Sequence, residues 1–176
     1  DDLAAAQHQQ DPIVEGGVMF KSEQFRYFEW VSEGLDEKDQ AAIKKLRGTG
    51  PANLPGVFVL HGPDGKKKRF YGCECSAAQY IDTAMKVGAE NDFTVCLTGI
   101  RTPDGDMLVF DVVRAKILIP HQFGWIVSQR LRFPWLGYQC VESKASGEGL
   151  IQQGDAEGYP LRELKAVSDK VQRAQP

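Results

Sequence analysis

The sequence predicts an α+β protein: a small antiparallel β-barrel or strongly curved sheet, with a helix between two hairpins and flanking N- and C-terminal helices. Three observations carry this. Two Pro-Asp-Gly turns, at Pro63-Asp64-Gly65 and Pro103-Asp104-Gly105, are each flanked by runs rich in β-branched and aromatic residues. Between them, Ser76-Ala77-Ala78-Gln79 has the form of a capping box. Near the end, Pro160 opens a stretch whose apolar residues fall at helical spacing.

Taken in order, residues 1–17 are rich in Ala, Gln and Asp, close on Gly16-Gly17, and read as a flexible tail. Residues 18–142 form a single β-rich domain. Its opening, Val18 to Val31, is dense in aromatics and fits strand and helix templates alike; we read it as a strand. Asp36 to Leu46 predicts a surface helix. Asp36 caps it, Glu37 and Asp39 suit its first turn, and Lys44, Lys45 and Arg47 suit its last. The first hairpin runs from Gly56 to His61 and returns from Lys67 to Cys75. In its turn Pro presets φ, Asp bonds its own backbone and Gly supplies φ > 0.

The capping box opens a predicted helix from Ser76 to Gly88, with Ala77, Tyr80, Ile81 and Ala84 as its buried stripe. The second hairpin joins Phe93–Thr98 to Met107–Val113. In the stretch Ala115 to Cys140, Phe123, Ile126, Val127 and Leu131 share one helical face, and strands are expected at Lys116–Ile119 and Leu136–Val141. Residues 143–158 contain four glycines and read as an exposed loop. Residues 159–176 read as an amphipathic helix with the stripe Leu161, Leu164, Val167 and Val171.

The order strand, turn, strand, capped helix, strand, turn, strand resembles the middle and second half of an OB-fold, a small Greek-key barrel with a helix between its third and fourth strands. The resemblance is at superfold level and covers roughly a third of the chain. Val18 to Val31 would supply the missing first strand. Alternatively, Val57 to His61 is the first, and Lys67 to Cys75 a bent strand serving as second and third.

The composition narrows function by class. The chain has 176 residues, 42% hydrophobic, with 21 basic and 24 acidic side chains and a formal charge of −3. A nucleic-acid or anionic-membrane protein usually has a basic surplus, so that class is disfavoured. No apolar run reaches the roughly 18 residues of a membrane-spanning helix. The chain begins at Asp1-Asp2-Leu3, as in a mature protein after leader removal or a trimmed chain. Export to a periplasmic, extracellular or organelle-lumen space is therefore favoured over the cytoplasm.

Four cysteines, Cys73, Cys75, Cys96 and Cys140, allow two disulfides in three pairings. Cys75 or Cys73 with Cys96 is the expected first pair. Zinc is disfavoured, because Cys-x-Cys on a strand splays its sulfurs differently from a Cys-x2-Cys knuckle. Cys75 also precedes the Ser76 cap, where a helix dipole would lower its pKa and suit thiol chemistry. Neither His61 nor His121 is tied by spacing to a nucleophile. Asp64, Asp104 and Asp106 are acidic turn residues without the ligand series of a calcium loop.

Lys66, Lys67, Lys68, Arg69 and Tyr71 follow the first turn. They could track a nucleic-acid backbone and stack a base, or be a solvated hairpin tip whose lysines block edge pairing. Trp125, Arg130, Arg132, Phe133, Trp135 and Tyr138 are the residue types that dominate protein interfaces, and equally the types that fill a core. No cofactor motif occurs. The expectation is a non-enzymatic binding or structural subunit of a protein assembly. The alternatives are a single-strand nucleic-acid binder and a thiol-dependent enzyme.

Overall fold

The computed structural model describes residues 25–46, 53–62, 64–84, 93–143 and 146–165. The protein is α+β. Among the described residues its strands form two sheets, neither closed into a barrel. The three-stranded sheet has the order β1-β2-β3, from Phe28–Val31, Val57–His61 and Lys67–Tyr71, all antiparallel. The five-stranded sheet has the order β6-β5-β4-β7-β8. Its strands are β4 (Ser76–Asp82), β5 (Thr94–Arg101), β6 (Met107–Ala115), β7 (Tyr138–Glu142) and β8 (Arg162–Leu164). The β4–β7 and β7–β8 pairs are parallel and the others antiparallel, so this sheet is mixed. Helices α1 (Glu37–Leu46), α2 (Ile119–Leu131) and α3 (Ser146–Ala156) and a 3-10 turn at Gly72–Glu74 complete the described fold; β3 therefore ends at Tyr71 and does not run on to Cys75.

The turn glycines and Asp64 act as the sequence predicts; in the second turn Thr102, not Asp104, bonds the backbone. Gly65 and Gly105 both take positive φ, 75° and 92°. Lys66 N–H donates to Asp64 Oδ1 at 3.1 Å, and Asp106 N–H to Thr102 Oγ1 at 3.0 Å. Helix α1 forms where expected: Asp39 N–H donates to Asp36 Oδ1 at 2.7 Å, which is the N-cap bond. Of the aromatic opening stretch, the strand Phe28–Val31 is seen; residues 18–24 lie outside the described part, as does the tail of residues 1–17.

Four expectations are overturned. Ser76 to Asp82 is a strand, not a helix. It is the centre of the five-stranded sheet, paired along both edges, with Ala77, Ala78, Gln79 and Ile81 buried. Two ladders of backbone hydrogen bonds outweigh the few tenths of a kcal/mol per residue by which Ala and Gln favour a helix. Residues 146–156 are helix α3, not an exposed loop. Gly147 and Gly154 lie three residues before and four after the buried Leu150, on one face. A Cβ at either would collide with the backbone carbonyl of Glu142 or Tyr159. These glycines allow close packing; they are not loop residues.

Residues 162–164 are strand β8, not part of a terminal helix. Parallel pairing with β7 satisfies a backbone that three helical residues could not satisfy alone. Leu161 is buried in the core beneath this strand, and Val167 and Val171 lie outside the described residues. Residues 116–118 are not a strand: they lead into α2, whose second residue is Pro120.

The core has two parts. One lies between the sheets: Phe58 and Leu60 of β2 meet Cys75, Ala77, Ile100, Leu108 and Leu136. Phe110 stands edge-on to Trp30, Phe58, Phe133 and Trp135, with ring centroids 5.0 to 6.2 Å apart. The other lies under α2 and α3, where Phe123, Ile126, Leu150 and Leu161 cover Ile81, Cys96 and Val141. Between these two apolar regions runs a buried amide chain. Gln79 Nε2 donates to Thr98 Oγ1 and to the Gln129 carbonyl, both at 3.2 Å. Gln139 Nε2 donates to Gln79 Oε1 at 2.7 Å and to the Ile126 carbonyl at 2.8 Å. Tyr159 Oη donates to Gln139 Oε1 at 2.6 Å. Gln129 lies in the last turn of α2, where its carbonyl has no partner within the helix; the sheet supplies one.

Replacing Gln139 by Leu removes two donors and an acceptor from this chain while keeping bulk. Gln139→Leu should cost about 2 to 4 kcal/mol in denaturant unfolding. The exposed Leu131→Ala should stay within about 0.5 kcal/mol. Equal midpoints for the two variants would show that the amide chain does not hold α2.

Candidate functional site

The basic run on β3 is a set of ion pairs. Lys66 Nζ lies 2.8 Å from Asp64, Lys67 Nζ 3.9 Å from Glu29, and Lys68 Nζ 3.1 Å from Asp104. Arg69 bonds Asp39, whose other oxygen accepts from Tyr71 Oη at 3.3 Å. Asp39 is buried, so Arg69 and Tyr71 pin α1 to β3. Each cation faces a carboxylate, and the run offers little uncompensated charge to a phosphate backbone. Arg69→Ala leaves Asp39 with Tyr71 as its remaining side-chain partner and should cost about 1 to 3 kcal/mol. Lys67→Ala, at an exposed pair, should cost less than about 0.5 kcal/mol; equal costs in urea melts would remove the anchoring role.

The cysteines do not form the expected disulfide; all four are unbridged and buried. Register gives the reason. Cys96 faces Ile81 on β4, and Cys75 precedes Ser76 at the other end of that strand. Six residues of strand separate them by about 20 Å, well beyond the reach of a bridge. Cys96 and Cys140 stand on opposite faces of the sheet. Nor does Cys75 sit at a helix N-terminus, since a strand follows it. Burial, then the charge of Glu74, pushes the Cys75 thiol up to about 12. Burial, then Asp111, does the same for Cys96. Among the described residues no cluster of His, Cys, Asp or Glu could hold a metal ion.

Both thiols ordinarily ionise near 9.0. Unfolded chains therefore lose these protons first as pH rises, and the folded state loses stability between about pH 9 and 12. At pH 8 iodoacetamide should leave Cys75 and Cys96 unmodified in the native protein and label both once it is unfolded, read by peptide mass. Rapid native labelling of either would contradict the burial described here.

The aromatic and arginine residues divide between core and surface. Phe133 and Trp135 pack against the inter-sheet core, and Trp125 against the core under α2. Arg130 Nη2 donates to the Leu136 carbonyl at 3.2 Å. Arg132 grips Asp111 with both Nη atoms, at 2.8 and 3.3 Å, and bonds Gln129 Oε1. Leu161 is core. Of the predicted interface residues among those described, Tyr138 and Leu164 stand on the face of the sheet turned away from the helices.

That outer face is the candidate site. The covered face carries Gln79, Ile81, Cys96, Thr98 and Val141; residues one step along each strand point the other way. Strand pairing sets them in rows. Val112, Leu97, Tyr80 and Cys140 form one row; Val109, Gly99, Ala78 and Tyr138 form the next. A Cβ on Gly99 would meet Met107 Sδ and Tyr80 Cε2, each at 3.3 Å, and Leu97 Cδ2 at 3.5 Å, which places these three around one shallow spot. Met107 is 54% exposed, and Val109 and Val112 are each 53% exposed. An antiparallel sheet with one face in water normally alternates apolar and polar residues; this face is apolar along its middle rows.

A β-bulge makes it so. The β5–β6 register shifts between Thr98 and Gly99, so that Val109 and Val112, three residues apart, stand on the same face while Phe110 turns into the aromatic core. Burial, then the neighbouring Tyr138 and Cys140, raises the Tyr80 phenol, which stays neutral. Arg162 lies over the Tyr138 ring, 3.9 Å from its centroid. Strict alternation along Met107–Ala115 divides Val109 from Val112, so sequence reading missed the patch. The visible signal is that both parities of this strand are apolar.

Comparison with protein-family models, with curated proteins and with solved structures gives no match.

Proposed function

We propose that this protein acts by binding, as a non-enzymatic subunit of a larger protein assembly, and that the outer face of the five-stranded sheet receives its partner. The contiguous exposed apolar face of Met107, Val109 and Val112, continued by Leu97, Tyr80 and Tyr138, carries the reading. Patches of this kind mark interaction sites in soluble proteins. Its aromatic and methionine content and its rim of Arg101, Arg114 and Arg162 match the composition of protein interfaces. Among the described residues no helix is long and apolar enough to cross a membrane.

Two other readings have less support. Nucleic-acid binding, with the OB-fold resemblance behind it, rests on hairpin order and on a basic run whose charges are already paired. Thiol chemistry would need a lowered pKa, and burial raises those of Cys75, Cys96 and Cys140.

A photo-crosslinking amino acid at the position of Val109 tests the proposal in the native cell. Discrete protein adducts are expected there and not at the position of Glu148, on the exposed side of α3. Adducts at neither position, or equally at both, would overturn it.

A further inference from the structure

We propose that the partner on the outer face is a second copy of this chain, packed sheet against sheet. This rests on the binding reading above and supplies the partner's identity.

The area fits. Five strands about 4.8 Å apart, with two outward side chains on β8 and three or four on each of the others, cover about 500 Å². Two such faces would remove on the order of 1,000 Å² from water, the lower bound for a specific interface and the size of a weak, micromolar one. Face-to-face packing of two sheets is also an ordinary way to bury such a surface, about 10 Å apart.

The charge pattern fits a copy better than a foreign chain. The rim carries Arg101, Arg114 and Arg162 together with Asp82 and Glu142: the register puts Arg162 at the end of the row through Cys140 and the others in the rows that flank the apolar ones. A face made for an oppositely charged partner carries one sign. A two-fold interface opposes a patch to itself, so a patch of mixed sign can meet its own complement. Of the titratable groups within the rows, Tyr80 and Cys140 are both shifted toward their neutral forms and add no repulsion. The formal charge of −3 is small enough for two copies to approach.

The edges fit less well than the face. Strand β6 ends the sheet on one side, but its ladder is interrupted by the bulge opposite Thr98 and Gly99. Bulges of this kind discourage edge-to-edge pairing. Strand β8, on the other side, is three residues long.

The test is sedimentation equilibrium and native mass spectrometry on the full chain from about 1 to about 100 μM, a range that brackets a micromolar interface. The wild type should pass from monomer to dimer across it. The double variant Val109→Asp with Val112→Asp should shift that transition by at least about tenfold in concentration and keep its far-ultraviolet circular dichroism and cooperative melt. Should that variant misfold, Val109→Cys, at an exposed position, should still give a covalent dimer with a short bismaleimide, and Glu148→Cys should not. A wild type that stays monomeric to about 100 μM, or a dimer indifferent to the two aspartates, overturns the second copy. If Val109 then crosslinks to a different polypeptide, the binding reading survives; if it crosslinks to nothing, both fall.

Discussion

Two buried glutamines hold this protein's layers together. Gln79 lies on the central strand and Gln139 on its parallel neighbour, directly opposite each other in register. Each carries a primary amide out of reach of solvent. Such groups are costly to bury unless every donor is used. Here Gln139 donates to Gln79 and to the Ile126 carbonyl, and Gln79 to Thr98 and the Gln129 carbonyl. The two acceptors on α2 lie almost one turn apart, so the contact fixes the helix's rotation as well as its position. Apolar packing alone would allow the helix to slide; directional bonds to its backbone do not.

Once α2 is fixed, the rest of the covered face follows. Ile126 and Phe123 are set over Ile81 and Cys96, and the chain returns through Leu136 to lay β7 beside β4. Helix α3 then crosses back on its glycine face to bring β8 alongside β7. All of this occurs on one side of the five-stranded sheet. The three-stranded sheet covers the remaining end of that same side through Phe58 and Phe110. Among the described residues the cover lies on one side of the sheet, and Met107, Val109 and Val112 stand exposed on the other.

Much of the fold is legible locally. Both hairpins, the Asp36-capped helix and the helix through Phe123 and Ile126 follow from turn residues, caps and periodicity. The candidate site was barely legible. Of the residues singled out for an interface, Phe133, Trp135 and Leu161 belong to the core, while Tyr138 and Leu164 reach the outer face. Aromatic type and density do not distinguish core from surface, since both places favour the same side chains. The bulge that brings Val109 and Val112 together depends on the pairing of β6 with β5, which nothing within β6 alone announces.

What the sequence determined by itself is short-range: positive-φ glycines in the turns, an aspartate cap, and apolar residues spaced for one helix face. Each depends on residues within four or five positions of one another, so the chain specifies it before any tertiary contact forms. What only the tertiary structure decided is whether Ser76-Ala77-Ala78-Gln79 becomes a helix or a central strand, and whether Gly147 and Gly154 mark a loop or a packed helix. It also decided which face of the sheet meets water. Those outcomes are set by pairing with β5 and β7 and by the backbone of Glu142 and Tyr159. A strand gains most of its hydrogen bonds from neighbours distant in sequence, and that long-range gain outweighs a local preference worth less than 1 kcal/mol per residue.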